Sequence, residues 1–193
     1  MHNILALPRP RSYGVVSDED EASLVSAAQQ DMTAFASLYE RYRDRIYAYL
    51  RTRTNSPDDA ADLTQQVFLQ AIDALTQYRS QRGSFTAWLF GIARNAAIDF
   101  HRRQNAVVAW ELLPETLHPV ALCDVENRVL QQEALGQLAR ALHACPPSTR
   151  EMLALRFAGR LSIAEIATIV GKSEAAVKKQ LTRTIRTLKE QLS

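Results

Sequence analysis

The last third of the chain, from Pro146 to Leu192, is punctuated so regularly that few folds remain open to it. Ser148-x-x-Glu151 and Ser162-x-x-Glu165 each have the form of a capping box, a hydroxyl three residues before a carboxylate, and each opens an apolar-periodic run. Gly159 and Gly171 stand where those runs stop, as helix-ending glycines that tolerate a left-handed backbone. Ser173 then opens a third helix, with Val177, Leu181, Ile185, Leu188 and Leu192 on one stripe at about 100° per residue. Lys178, Lys179, Thr182, Arg183, Arg186 and Lys189 fan across its other side. A short helix, a tight turn at Gly171-Lys172-Ser173 and a longer basic helix form the arrangement that lays a helix in a DNA groove. A merely solvated basic face would not require that spacing.

The rest of the chain reads as helical too. No segment sustains period-2 alternation, and six glycines leave little room for a hairpin-rich sheet. Asp18 to Gln29 suits a short acidic helix. A second helix spans about Thr33 to Arg53, with Phe35, Leu38, Tyr39, Tyr42, Ile46, Tyr49 and Leu50 at core-facing spacing. Ser56-Pro57-Asp58-Asp59 is a helix start: a capping hydroxyl, proline in the first turn and two carboxylates on the positive end of the dipole. That third helix turns Leu63, Val67, Phe68, Ala71, Ile72 and Leu75 inward. A polar loop, Gln77 to Ser84, leads to a fourth helix from Phe85 to about Arg103. Val107 to Asp124 contains Pro114 and Pro119 and reads as a linker.

Charge follows this division. Residues 1–33 hold two basic and five acidic side chains, a net of −3. Residues 34–105 carry ten and seven (+3), residues 106–145 two and five (−3), and residues 146–193 nine and four (+5). Two basic blocks flank an acidic one, the distribution of a chain whose two parts touch a polyanion while their connection does not. No apolar stretch has the length of a membrane span, and the N-terminus lacks a signal-peptide core. Two cysteines, Cys123 and Cys145, fit a reducing cytoplasm rather than a disulfide framework, and with His143 they lack the paired spacing of a zinc site.

Residues 58–70, DDAADLTQQVFLQ, and 85–103, FTAWLFGIARNAAIDFHRR, resemble region 2 of bacterial sigma factors of the extracytoplasmic-function group. Residues 146–188, from PPSTREMLALRFAGR onward, are similar to region 4 of the same proteins, and the two blocks lie in the family's order. The resemblance covers roughly three quarters of the chain. It implies an all-α protein of two small helical domains, a region 2 bundle and a region 4 helix-turn-helix, joined by a flexible linker. The corresponding division is a tail at 1–17, region 2 at 18–105, a linker at 106–125 and region 4 at 126–193.

What the resemblance implies for function is specific. Region 2 binds the clamp of core RNA polymerase through the helix carrying Asp62, Gln65, Gln66, Leu69 and Gln70, and region 4 reads the −35 element near the polymerase flap. The −10 element is held as an unpaired strand, which needs stacking surfaces and phosphate-binding cations. Tyr78, Arg79, Arg82, Trp88, Arg94, Asn95, Arg102 and Arg103 supply them, although a helical tryptophan such as Trp88 more often belongs to a core. The −35 set is Ser173, Lys178, Lys179, Gln180, Thr182, Arg183 and Arg186. The expected partners are core polymerase, promoter DNA and an anti-sigma factor, with no membrane, cofactor, metal or catalytic residue. The linker is expected to thread toward the polymerase active-site and RNA-exit channels.

Gln66 departs from the family's usual acidic residue, Gly91 from a common basic one, and Gln180 and Ile185 from frequent arginines. Gln180 on a groove-facing flank suits adenine. Two rival readings are a dimeric helix-turn-helix regulator, which would not need the Trp88–Arg103 block, and a metal-dependent nucleic-acid hydrolase built on Asp58, Asp59 and Asp62. For Asp58 and Asp59, placement at a helix N-terminus already accounts for the charge.

Overall fold

The computed structural model describes residues 18–108 and 128–192. Among these every regular element is helical: α1 (Asp18–Gln30), α2 (Phe35–Arg51), α3 (Pro57–Ala74), α4 (Phe85–Val108), α5 (Arg128–His143), α6 (Pro147–Phe157), α7 (Ile163–Val170) and α8 (Glu174–Gln191). The expected tail and nearly all of the linker lie outside the described residues, except that α4 runs on to Val108. The second helix is in two parts. Asp31 accepts from the Thr33 amide and opens a 3-10 turn, Met32–Ala34, from which α2 proceeds.

The N-terminal bundle forms because α2, α3 and α4 each carry an apolar stripe. Leu38, Ile46, Tyr49, Leu50, Val67, Leu89 and Phe90 are all fully buried, each contributing roughly 1.5–3 kcal/mol relative to exposure. Phe68 packs edge-on against Phe35 and Tyr39. The Ser56 hydroxyl accepts from the Asp59 amide at 3.0 Å, with Pro57 in the first turn, as that sequence predicts.

α1 does more than cover the bundle. Its Glu21 carboxylate accepts from the Tyr42 hydroxyl at 2.7 Å and from the Thr86 amide at 3.2 Å, fixing the first turn of α4. Its Gln29 amide donates to the carbonyls of Leu75 and Tyr78 at 2.9 and 3.2 Å, bracing the loop before α4.

In the C-terminal unit, α6, α7 and α8 pack around Met152, Leu155, Leu161, Ile166, Val177 and Leu181. Ser162 and Glu165 form the expected reciprocal capping box at α7, and Ser173 caps α8. Gly171 ends α7 at φ 67°, ψ 37°, a left-handed turn suited to glycine. Two expectations are overturned. Ser148 and Glu151 make no capping box: α6 starts behind Pro146 without a side-chain cap, and Glu151 is turned to the N-terminal bundle. The left-handed residue after α6 is Arg160 (φ 57°), not Gly159. Gly159 is needed for closeness instead, because a β-carbon there would lie 2.8 Å from the Leu155 carbonyl, Leu161 Cδ1 and Phe90 Cε1.

The two units share one continuous apolar core. Across their seam the Tyr49 hydroxyl donates to Glu151 Oε1 at 2.5 Å, and Arg53 pairs with Glu151 Oε2 at 3.1 Å. Arg45 lies over the Tyr42 and Phe90 rings and donates its Nε–H to the Gly159 carbonyl at 3.0 Å.

Candidate polymerase and nucleic-acid interfaces

On α3, residues spaced three and four apart share a face, so Asp62, Gln65, Gln66, Leu69 and Gln70 form one strip. All are exposed except Gln66, which is half-buried, and the neighbouring Leu63, Val67 and Phe68 hold the opposite face in the core. Leu69 is 63% exposed, a large apolar side chain with polar groups around it. Such a pattern suits a reversible protein contact.

The loop before α4 is more ordered than a polar linker sequence suggests. Two short 3-10 turns, Leu75–Gln77 and Ser80–Arg82, fold it onto the helix start, where the Ser84 hydroxyl accepts from the Ala87 amide. Tyr78 is buried, its hydroxyl donating to the Gly83 carbonyl at 3.0 Å and its ring packed against Phe85 and Trp88. It therefore builds the wall of the site and presents no free stacking face. Trp88 is half-buried in the same cluster, as a core role predicts, yet it also lines an open cavity. Arg79 is exposed, with its guanidinium folded back on the carbonyls of Thr76 and Tyr78. The Arg82 side chain lies outside the described residues.

That cavity, about 420 Å³, brings Arg79, Trp88, Arg94 and Asn95 together. Gly91 lies on its floor, and a β-carbon there would meet nothing within 4 Å, so the departure from a basic residue leaves room. Asn95 is exposed, whereas Arg94 is half-buried with its Nε–H unpartnered. Arg102 and Arg103 lie further along α4, exposed, Arg102 paired with Asp99 at 3.2 Å. The first turns of α4 thus hold an aromatic wall, an amide and a guanidinium, and its later turns supply cations.

On α8, Val177 and Leu181 are buried, and Ile185 and Leu188 pack partly against the core. Ile185, in a position where arginine is frequent, is thereby a packing residue. Ser173, Lys178, Lys179, Thr182, Arg183 and Arg186 are exposed or lie on the outer side of the helix, none of them in the core. Gln180 departs from the expected groove-facing role. Its Nε2 donates to Thr149 Oγ1 on α6 at 2.7 Å, and its Oε1 accepts from Lys172 at 3.3 Å. Both ends of the amide tie α8 to its neighbours.

Sequence reasoning missed Glu21 and Gln29, ordinary residues of a surface helix, and also Arg45, Arg53 and Glu151 at the seam. Glu151 did carry a signal, but a local one that pointed to a cap.

Comparison with known proteins places these features. Residues 38–107 match the family Sigma-70 region 2, and residues 135–188 match Sigma-70, region 4. The chain is 34% identical over 179 residues to the ECF RNA polymerase sigma factor BldN of Streptomyces coelicolor, covering 89% of this chain and 67% of BldN. It is 31% identical over 179 residues to the ECF RNA polymerase sigma factor SigD of Mycobacterium tuberculosis, covering 89% and 83%. Among solved structures it is similar to CnrH in complex with the cytosolic domain of CnrY, with a TM-score of 0.64, 25% identity and coverage of 89% and 96%. The fold is also that of the sigma factor RpoE from Bartonella quintana, solved with the anti-sigma factor NepR, with a TM-score of 0.63, 22% identity and coverage of 82% and 96%. With both sigma regions matched in order along one chain, and relatives spanning nine-tenths of it, the protein belongs to the extracytoplasmic-function group of RNA polymerase sigma factors.

Proposed function

We propose that this sigma factor docks on the polymerase clamp through the α3 strip Asp62, Gln65, Gln66, Leu69 and Gln70. It holds the unpaired −10 strand with Trp88, Arg94 and Asn95, aided by Arg79, Arg102 and Arg103. It grips the −35 duplex with Ser173, Lys178, Lys179, Thr182, Arg183 and Arg186. The observation that carries this reading is the cavity at the start of α4, where an aromatic wall, an amide and two guanidinium groups converge. A duplex-binding regulator has no use for such a cavity, which disfavours the dimeric alternative. As a class sigma factors regulate transcription rather than catalyse a reaction, and the carboxylates Asp58 and Asp59 serve the α3 start, where the Asp59 amide meets the Ser56 cap. A protein partner, expected to be an anti-sigma factor, belongs to the same reading, and CnrH was itself solved in complex with another protein, the cytosolic domain of CnrY. Among the described residues no helix is long and apolar enough to cross a membrane.

The chemistry is a difference in binding. Extruding a base costs a few kcal/mol of stacking, and interactions available only to the single strand must return it. Holoenzyme carrying Asn95→Ala with Arg79→Ala should bind a duplex promoter yet fail to make the −10 region reactive to permanganate. A pre-melted promoter should rescue it only in part. Open-complex formation at the unmutated level on duplex DNA would remove the strand-capture role from this loop and helix.

A further inference from the structure

α1 precedes the segment that matches Sigma-70 region 2, which begins at residue 38, yet it is tied to both ends of the loop that carries Arg79. Glu21, Val25, Ala28 and Gln29 share one face of the helix. Val25 and Ala28 are buried against the bundle, and the two polar members reach past it. Gln29 Nε2 donates to the carbonyls of Leu75 and Tyr78, where the chain enters the loop. Glu21 accepts from the Thr86 amide and hydroxyl, each at 3.2 Å, just after the chain leaves it. Between these anchors lies an open cavity of about 710 Å³, lined by Ser26 on the α1 side and by Arg79, Ser80 and Gln81 on the loop side. The loop is held at its ends and has room at its middle.

The Tyr78 carbonyl links the first anchor to the site. It accepts from Gln29 at 3.2 Å and from Arg79 Nη1 at 2.9 Å, and the same Nη1 donates to the Thr76 carbonyl at 2.6 Å. Arg79 is thus parked on its own backbone, and a guanidinium swung out to a phosphate leaves both carbonyls. A carbonyl that loses its donor where water is kept from it costs free energy. At Tyr78 that cost is avoided, because the Gln29 amide stays. We propose that Gln29 is a positioning residue for −10 strand capture: it holds the loop backbone and satisfies the Tyr78 carbonyl while Arg79 turns to the strand. Glu21 fixes the far end of the loop on α4, whose later turns carry Arg94 and Asn95. The proposal rests on the strand-capture reading above.

The test uses the full chain, free and as holoenzyme, with Gln29→Met, which keeps the length of the side chain and removes the donor, and Gln29→Lys, which restores one. Gln29 is exposed, so neither opens a hole in the core. Amide exchange by NMR reads the loop, and permanganate reactivity of a duplex promoter reads opening. Ile46→Val, a trim of the bundle core on α2, is the control for a comparable loss of stability in urea. Gln29→Met should speed exchange at the Tyr78 amide, which donates to the Leu75 carbonyl, by about tenfold. It should slow open-complex formation by a similar factor, with binding to core polymerase unchanged. Gln29→Lys should recover both, and Ile46→Val should open the promoter at the unmodified rate. Unchanged exchange at Tyr78 in Gln29→Met, or no recovery in Gln29→Lys, would overturn the positioning role. An opening defect equally present in Ile46→Val would reduce Gln29 to a residue of the fold and overturn it too. Holoenzyme carrying Asn95→Ala with Arg79→Ala separates this proposal from the reading beneath it. If that variant fails to open the promoter while Gln29→Met opens it at full rate, strand capture stands and the positioning role is lost. If the double variant opens it normally, the strand-capture reading goes, and the positioning role with it.

Discussion

Gly159 sits where three groups converge: the Leu155 carbonyl, the Leu161 side chain and the Phe90 ring would each lie 2.8 Å from an added β-carbon. Gly159→Ala therefore needs a shift of backbone as well as of side chains, and overpacking of that kind costs about 1–3 kcal/mol. Urea denaturation should show a lower midpoint with an unchanged slope. The sequence identified this glycine as a helix terminator, which it is, but attached the wrong physical need to it, since Arg160 takes the left-handed turn. Gln180 carries a related lesson. An exposed glutamine on a recognition helix reads adenine readily, but this one is hydrogen-bonded to Thr149, a buried residue of another helix. Periodicity places a side chain on a face; it does not say what already occupies its hydrogen bonds.

Among the elements, α8 has the clearest division of labour. Its inner stripe packs on α6 and α7, while Lys178, Arg183 and Arg186 point away from the core, Arg186 near Glu190 at 3.9 Å. Replacing those three cations with alanine should leave the fold and core-polymerase binding unchanged, because none of them is buried. Promoter binding should weaken and its salt dependence flatten, by about 0.9 in slope for each phosphate that is no longer neutralised. Fluorescence anisotropy over a salt series checks this, and equal loss of polymerase binding would place the residues elsewhere. Both faces of α8 were legible in the sequence, because an amphipathic helix with a capping serine needs only local information. The loop before α4 was less so: its order comes from Gln29, forty-six residues from the nearer of its two carbonyl partners.

For the molecule as a whole, the buried tyrosines make stability depend on alkaline pH. Burial, then the Glu151 carboxylate, push the Tyr49 hydroxyl well above its ordinary value of 10.0, and burial raises Tyr42 in the same direction. A raised phenol is neutral in the folded state, so its contribution is complete below about pH 10, where the unfolded tyrosines are neutral too. Above that, the unfolded tyrosines ionise first and stability falls as pH rises. The denaturation midpoint should hold steady from neutral pH to about 9 and drop by about pH 11. Tyr49→Phe should flatten that drop. At neutral pH it should cost about 1–3 kcal/mol, because Glu151 loses a hydrogen-bond donor in a buried place. An identical alkaline profile in the variant would mean that the seam is open in solution.

The sequence by itself determined that the chain is helical, where most of its described helices run to within a few residues, and which faces of α3 and α8 look outward. Those features rest on caps, prolines and apolar spacing, all of which act within about one or two turns. Its family was legible for the same reason, since the matching blocks are helices with the caps and turns that join them. Only the tertiary structure decided that Glu151 faces Tyr49 and Arg53 instead of its own helix start, and that Tyr78 is a wall of the cavity. It also brought Thr168 and Ile169 over Trp88, Arg94 and Asn95. The contacts of Glu151 and of Thr168 and Ile169 join residues tens of positions apart in sequence. Local pattern offers a carboxylate both a nearby amide and a distant hydroxyl; burial of the whole seam selects the distant one.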